Sequence, residues 1–275
     1  MNAIKNYFKI NYVESILLVI AFITLNFINV FIRKFLLSLN LSENTIFAVS
    51  YSIPFIILFT FISHQAKKKN LVVDLSIRIS PWYVYFVIFF MMLSAIILNE
   101  HLSSLVPKEG PILENMYKEI EVVLKEEVKN PIPFFSTTVL LAPICEEILF
   151  RGIILNGMLR NKIHPIKAII FSSFLFGLTH MNPWQLLGGL FVGSFIGYIY
   201  YITNSITDCI LLHILNNFIA TVGIFYSLDD GLDYNNLEKL DNNNHVYIFL
   251  ISILILLSGS YFLLKKRKNI LKLIK

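Results

Sequence analysis

The sequence predicts an all-α fold: a polytopic bundle of about eight transmembrane helices forming one integral membrane domain over residues 1–275. Hydrophobic residues make up 56% of the chain and charged residues 15%, whereas soluble domains contain about 25% charged residues. The mean hydropathy is +0.68. Apolar runs near the roughly 20 residues needed to cross a bilayer recur along the chain. The lipid bilayer is therefore the predicted environment.

Eight spans are predicted from these apolar runs. Six contain no charged residue and lie at residues 15–32, 44–63, 81–99, 183–207, 209–228 and 246–264. Two others, at residues 131–159 and about 163–181, are interrupted by polar side chains. The first span is not expected to be a cleaved signal peptide, because its apolar run continues to about Ile32 without a small-residue cleavage pattern.

Two connectors between the spans have recognisable patterns. Residues 100–130 are predicted to hold an amphipathic helix on the outer face, either as a plain connector or as a gate for substrate. Its apolar residues recur at helical spacing and are Leu113, Tyr117, Ile120, Leu124 and Val128. The acidic, Asn-rich segment 229–245 is predicted to be an exposed loop.

The distribution of basic residues predicts that both termini are cytoplasmic, because short cytoplasmic segments are rich in Lys and Arg. With the N-terminus inside, fifteen of the 23 Lys and Arg residues fall in inside segments, seven fall in outside segments, and Arg151 lies within a span. This bias explains the net charge of +5. Nucleic acid is therefore not expected as a partner, since no basic domain stands in water to bind it.

The fourth predicted span carries the first candidate functional residues, Glu146, Glu147 and Arg151. Each charge near the bilayer centre costs roughly 2.5–3.5 kcal/mol, so three of them in one span indicate a functional site. On an α-helix, Glu147 and Arg151 share a face and can form a supporting ion pair. Glu146 projects about 100° away, so we predict that Glu146 carries the chemistry. The alternative is an ion network that only joins helices.

Later spans supply residues that could act with Glu146. His180 ends the fifth span, and His213 and Asn217 are four residues apart in the seventh. Each histidine alone could be a hydrogen-bonded packing residue. Together with Glu146, the three would provide a general base, hydrogen-bond donors and metal ligands, with Glu146, His180 and His213 as the candidate ligands.

The sixth predicted span has a glycine at every fourth position, at Gly189, Gly193 and Gly197. Such a stripe of small residues lets neighbouring helices approach closely, and packing is the predicted role. Close packing here would help to bring His180 and His213 to the same depth.

Three motifs follow one another on the later spans: Glu146-Glu147-x-x-x-Arg151, Phe176-x-x-x-His180 and His213-x-x-x-Asn217. In this order they resemble the signature of the CAAX-prenyl-endopeptidase and bacteriocin-processing (CPBP) family of intramembrane proteases. The resemblance covers about residues 131–226, which we take as the motif core.

This resemblance implies a membrane endopeptidase, in a bacterial plasma membrane, that hydrolyses a peptide bond in a lipidated, leader or secreted peptide. Carried over to this chain, Glu146 and His180 would activate water, while His213 and Asn217 would stabilise the oxyanion or help to hold a metal. Members of the family have been argued both as metalloproteases and as glutamate-dependent enzymes. Zinc is therefore an expectation left open, since the chain lacks a His-Glu-x-x-His motif.

Two other function classes fit the same composition. A proton-coupled transporter also places carboxylates and histidines in the membrane, but here the polar residues lack a matching set in the first half of the chain. A noncatalytic bacteriocin-immunity protein could keep the fold without turnover, because fold alone does not establish activity.

Overall fold

A computed structural model of the protein describes residues 6–39, 41–229 and 242–274. Within these ranges the chain forms nine helices and no strand, apart from an isolated bridge between Tyr7 and Val72. The helices are α1 (Tyr12–Ser38), α2 (Glu43–Lys68), α3 (Trp82–Ser104), α4 (Leu113–Val128), α5 (131–160), α6 (Pro165–Leu178), α7 (Pro183–Thr203), α8 (Ile206–Asp229) and α9 (Asn242–Leu273). The predicted all-α class is confirmed.

Several helices begin where local sequence signals place their starts. At α1, Asn11 accepts a hydrogen bond from the Glu14 backbone at 2.9 Å, and the Glu14 carboxylate accepts one from the Asn11 backbone at 2.8 Å. This reciprocal pair is a capping box. At α7, Asn182 accepts from the Gln185 backbone at 2.9 Å and Pro183 takes the first helical position, where its missing N–H has no cost.

In the part of the chain that the structure describes, six helices are long and apolar enough to cross a membrane, by length and composition. They coincide with the six charge-free predicted spans, so the polytopic membrane architecture is confirmed. The two interrupted predictions correspond to α5 and α6. Helix α5 is about 45 Å long at 1.5 Å per residue. Helix α6 has 14 residues and reaches only about 21 Å, short of the roughly 30 Å hydrocarbon core.

Five segments predicted to lie on the inside meet at one end of the bundle. They are the N-terminal stretch, the α2–α3, α5–α6 and α7–α8 connectors, and the end of α9. The bonds that join them are Val72 N–Asn6 O at 2.8 Å, Arg160 Nη2–Asp74 Oδ2 at 2.6 Å, Ser205 Oγ–Arg78 O at 2.6 Å and Arg267 Nε–Tyr201 O at 3.2 Å. The cytoplasmic location of this end stays a prediction.

Helix α5 lies at the centre of the bundle. Every residue of its segment Ile148–Leu155 from Leu149 onward is buried, as expected for a helix packed on all sides. Helices α1 and α9 are at the periphery, with only 17% and 11% of their apolar windows buried. Any side chain in this buried segment must therefore be matched by residues of other helices.

Helix α5 is not a regular α-helix. The segments Ser136–Leu141 and Ile148–Leu155 are π-helical, and Glu146 and Glu147 lie in the short α-helical stretch between them. Pro143 has no backbone N–H, so it cannot continue the hydrogen-bond ladder at the first π segment. π-turns inside α-helices change the rotation of the residues that follow and recur at functional sites.

Helix α7 packs against α6 through its glycines. A Cβ on Gly189 would lie 2.8 Å from the Gly177 Cα, and one on Gly193 would lie 3.2 Å from the Ser173 Cβ. A Cβ on Gly197 would contact Ile169 at 3.2 Å. The packing role predicted for the stripe is confirmed.

The two predicted connectors differ in outcome. Helix α4 forms, and its five predicted apolar residues are partly buried, while Val122 and Val123 remain 61% and 54% exposed. Tyr117 of α4 contacts Trp184, with ring centroids 5.4 Å apart. Most of the predicted loop 229–245 lies outside the described residues.

Candidate active site

Glu147 and Arg151 form a fully buried ion pair on α5. Arg151 Nη1 lies 2.8 Å from Glu147 Oε1, and their side chains are 1% and 0% exposed. Arg151 also donates from Nη2 to the carbonyl of Gly193 at 3.1 Å and lies 5.0 Å from the centroid of the Phe176 ring. The absence of a side chain at Gly193 leaves room for this approach, since a Cβ there would lie 3.2 Å from Nη2. The arginine thus ties α5 to α6 and α7.

Glu147 has a second partner that spacing on one helix could not reveal. His213 Nδ1, on α8, lies 2.8 Å from the same Oε1 that binds Arg151. A carboxylate bonded to one imidazole nitrogen fixes the ring orientation and favours a proton on that nitrogen. The other nitrogen, Nε2, faces Glu146 Oε2 at 3.7 Å. Glu147 therefore orients His213 toward Glu146.

Glu146 is separate from the arginine, but it is not the unpartnered acid that the sequence suggests. Its Oε1 accepts a hydrogen bond from the Tyr51 hydroxyl of α2 at 2.8 Å. Its side chain is 14% exposed, against 0% for Glu147. The two adjacent glutamates thus have different surroundings: one lies in an ion pair, and the other accepts a hydrogen bond from a neutral hydroxyl and remains partly accessible.

His180 joins the cluster from the turn between α6 and α7. The sequence suggests that it ends a span, whereas the structure ends α6 at Leu178 and places His180 in the turn. Its ring lies 5.2 Å from that of Phe176, and the same phenyl ring lies 5.7 Å from His213. Glu146 and His213 are both close enough to interact electrostatically with His180. Phe176 therefore contacts both imidazoles.

Asn217 lies one helical turn beyond His213 and makes its described contacts elsewhere. Its Nδ2 donates to the carbonyl of Thr138 at 2.9 Å, and its Oδ1 accepts from Asn216 at 3.1 Å. The Thr138 carbonyl is free because Ala142 donates to Thr137 instead and Pro143 has no N–H to donate. Asn217 therefore satisfies a carbonyl that the π-turn leaves open, and a second N–H remains on its amide.

A zinc ion needs about four ligands, and in a catalytic site three of them come from protein. Glu146 Oε2 and His213 Nε2, 3.7 Å apart, are two such donors. Across the described residues, no three His, Cys, Asp or Glu side chains converge as a metal site would require. The arrangement does not fit zinc.

The structure thus links Glu146, Glu147, Arg151 and His213 directly and brings His180 to them through Phe176. Sequence reasoning missed Tyr51 and the Thr138 carbonyl. Tyr51 lies in a charge-free apolar run, where a tyrosine has no distinguishing signal. Pro143 inside a predicted span could have indicated the free carbonyl, because proline interrupts the backbone hydrogen bonds of a helix.

Comparison with known proteins relates part of the chain to a described family. Residues 128–219 match the family described as Type II CAAX prenyl endopeptidase Rce1-like. No match was found among curated proteins or solved structures. The matched segment holds both glutamates, both histidines and Asn217, and it excludes Tyr51. Residues 128–219 of this integral membrane protein are therefore similar to the Rce1-like type II CAAX prenyl endopeptidase family, which is a family of membrane proteases.

Proposed function

We propose that this protein is an intramembrane endopeptidase in which Glu146 is the general base, and that its substrate is a lipidated, leader or secreted peptide. The observation that supports this best is the setting of Glu146. Its Oε1 is held by Tyr51 at 2.8 Å and its Oε2 faces His213 Nε2 at 3.7 Å, and among the described residues no arginine pairs with it. A carboxylate that is held in place but not neutralised can accept a proton from water.

The proposed reaction begins with a water molecule positioned by Glu146 and His180. Glu146 takes one proton as the water oxygen forms a bond with the carbonyl carbon of the substrate, which gives a tetrahedral oxyanion. The carbon–nitrogen bond then breaks, and the proton held by Glu146 passes to the departing amine. The products are a carboxylic acid and an amine, so all atoms of the water are accounted for.

His213 and Asn217 are proposed to stabilise the oxyanion. Glu147 binds His213 Nδ1 at 2.8 Å, so Nε2 lies on the side of Glu146, where it can donate to the oxyanion when it carries a proton. Asn217 uses one N–H for Thr138 and keeps another for the oxyanion. Donors fixed before reaction stabilise developing charge without reorganisation, and one such donor contributes about 10²–10³ in kcat.

The family resemblance leaves open whether zinc is held by Glu146, His180 and His213, and the donor geometry gives such a site little support. Metal analysis of protein purified without added zinc decides the matter. Stoichiometric zinc that is lost in His213→Ala, together with inhibition by a chelator, would establish a metal site that the present arrangement does not provide.

The test of the proposed function is the Glu146→Gln variant, assayed in lipid nanodiscs with a peptide library that includes farnesylated C-terminal peptides. We expect cleavage to fall by about 10²–10⁴-fold, the usual contribution of a general base, with the melting temperature unchanged. Glu121→Gln, at an exposed position on α4, is the matched control and should cleave like the unaltered protein. Retained cleavage in Glu146→Gln would refute the assignment.

The same preparation separates the other function classes. Proton flux into proteoliposomes without peptide cleavage would indicate a transporter. Neither flux nor cleavage, with retained binding of a peptide, would indicate a noncatalytic protein. If the proposal holds, mass spectrometry of peptide that copurifies with Glu146→Gln should identify the substrate class.

A further inference from the structure

We propose that Tyr51 is a positioning residue for Glu146, which extends the working site from the matched domain to α2. This inference rests on the proposed function, because it gives Tyr51 a role in the same hydrolysis. Tyr51 lies well before residues 128–219, so the family match assigns it no role.

The Tyr51 hydroxyl determines which carboxylate oxygen of Glu146 faces the histidine. It donates to Oε1 at 2.8 Å, which leaves Oε2 directed at His213 Nε2, 3.7 Å away. The tyrosine ring is itself supported by Phe55, one turn further along α2, with ring centroids 5.6 Å apart. Phe55 is only 2% exposed and packs on Phe22 of α1 at 4.7 Å. The hydroxyl is therefore held by a packed aromatic column.

The backbone of α2 is also adjusted at this point. Pro54 has no N–H, so the Ser50 carbonyl, four residues earlier, lacks its helical donor. Asn29 of α1 supplies that donor from Nδ2, at 2.6 Å from the Ser50 oxygen. Tyr51 directly follows Ser50. The missing helical hydrogen bond to the Ser50 carbonyl, and its replacement by the bond from Asn29, therefore lie next to the residue that contacts Glu146. Helices α1 and α2 together direct the Tyr51 hydroxyl toward Glu146 of α5.

The test compares Tyr51→Phe with Tyr198→Phe in the nanodisc cleavage assay. Tyr51→Phe removes only the hydroxyl, and we expect kcat to fall about tenfold with KM unchanged, as for an interaction that acts in the chemical step. Tyr198→Phe is the matched control, because it removes a similar bond, from its hydroxyl to the Ser260 carbonyl at 2.9 Å, between α7 and α9. The control should keep kcat within about twofold.

A second measurement detects the hydrogen bond between Tyr51 and Glu146 without relying on turnover. The infrared carboxylate band assigned by its loss in Glu146→Gln should shift in Tyr51→Phe and stay in place in Tyr198→Phe. An unchanged kcat, an effect confined to KM, or an unshifted band would each overturn the positioning role. If the unaltered protein cleaves no peptide, the proposed function is wrong, and so is the role of Tyr51 in hydrolysis. The infrared band of Glu146 then still shows whether Tyr51 binds this carboxylate.

A third variant tests whether the break in α2 determines the position of the Tyr51 hydroxyl. Pro54→Ala returns an N–H to the Ser50 carbonyl and keeps Tyr51 intact. We expect kcat to fall about threefold, since the displaced hydroxyl would hold Glu146 less well. An unchanged kcat would overturn the part of the proposal that links the break in α2 to the site.

Discussion

Replacing Arg151 by methionine should destabilise this protein much more than replacing Lys125 by methionine, although the two cations have the same local relation to a glutamate. Arg151 pairs with Glu147, and Lys125 pairs with Glu121; in both pairs the cation lies four residues after the glutamate on the same helix. The first pair is 1% and 0% exposed, and the second is 53% and 49% exposed. The comparison therefore isolates burial.

The magnitude follows from the contacts that Arg151 loses. They are charge-assisted hydrogen bonds to Glu147 at 2.8 Å and Gly193 at 3.1 Å and a ring contact with Phe176 at 5.0 Å. Removing one partner of a buried pair costs about 3–5 kcal/mol, because it leaves an uncompensated charge. His213 still binds Glu147, so we expect about 3 kcal/mol. Loss of an exposed pair costs only about 0.3–0.5 kcal/mol.

Thermal unfolding in nanodiscs, followed by intrinsic fluorescence, measures the difference. At about 2–4 °C per kcal/mol, Arg151→Met should lower the melting temperature by about 10 °C and Lys125→Met by about 1 °C. The double variant Glu147→Gln/Arg151→Met removes both charges and should recover at least half of the loss, since neutral replacements for a buried pair are often tolerated. Equal melting temperatures for the two single variants would refute the argument from burial.

Two further predictions concern helix packing and pH. Gly189→Ala should destabilise the protein by about 1–3 kcal/mol, because its Cβ would lie 2.8 Å from the Gly177 Cα; the control Gly223→Ala, with nothing within 4 Å of such a Cβ, should leave the melting temperature unchanged or raise it. Burial raises the pKa of Glu127 on α4, against the opposing charge of Arg33. Ionisation of Glu127 therefore opposes folding above the pKa that this group has in the unfolded chain. Glu127→Gln should raise the melting temperature at pH 7, and the increase should disappear near pH 4, where the carboxyl is protonated. An equal increase at both pH values would contradict this reasoning.

The sequence by itself determined the membrane class, the six long spans and the places where polar side chains enter the bundle. A charge or an imidazole in an apolar run is visible without coordinates, because its cost in lipid is high. Glu146, Glu147, Arg151 and His213 stand out for this reason. The glycines of α7 could also be predicted, since small residues at every fourth position produce a stripe on any helix.

Only the tertiary structure decided which of these groups meet. The contacts between His213 and Glu147 and between Tyr51 and Glu146 join residues 66 and 95 positions apart. Such contacts depend on the rotation and depth of each helix, and the π-turns of α5 shift that rotation away from the ideal α-helix. Periodicity reports the face of one helix, whereas the distance between two helices is set by how the whole bundle packs. For that reason the sequence could separate the two glutamates and single out His213, but it could not show that His213 binds Glu147 or that Tyr51 binds Glu146.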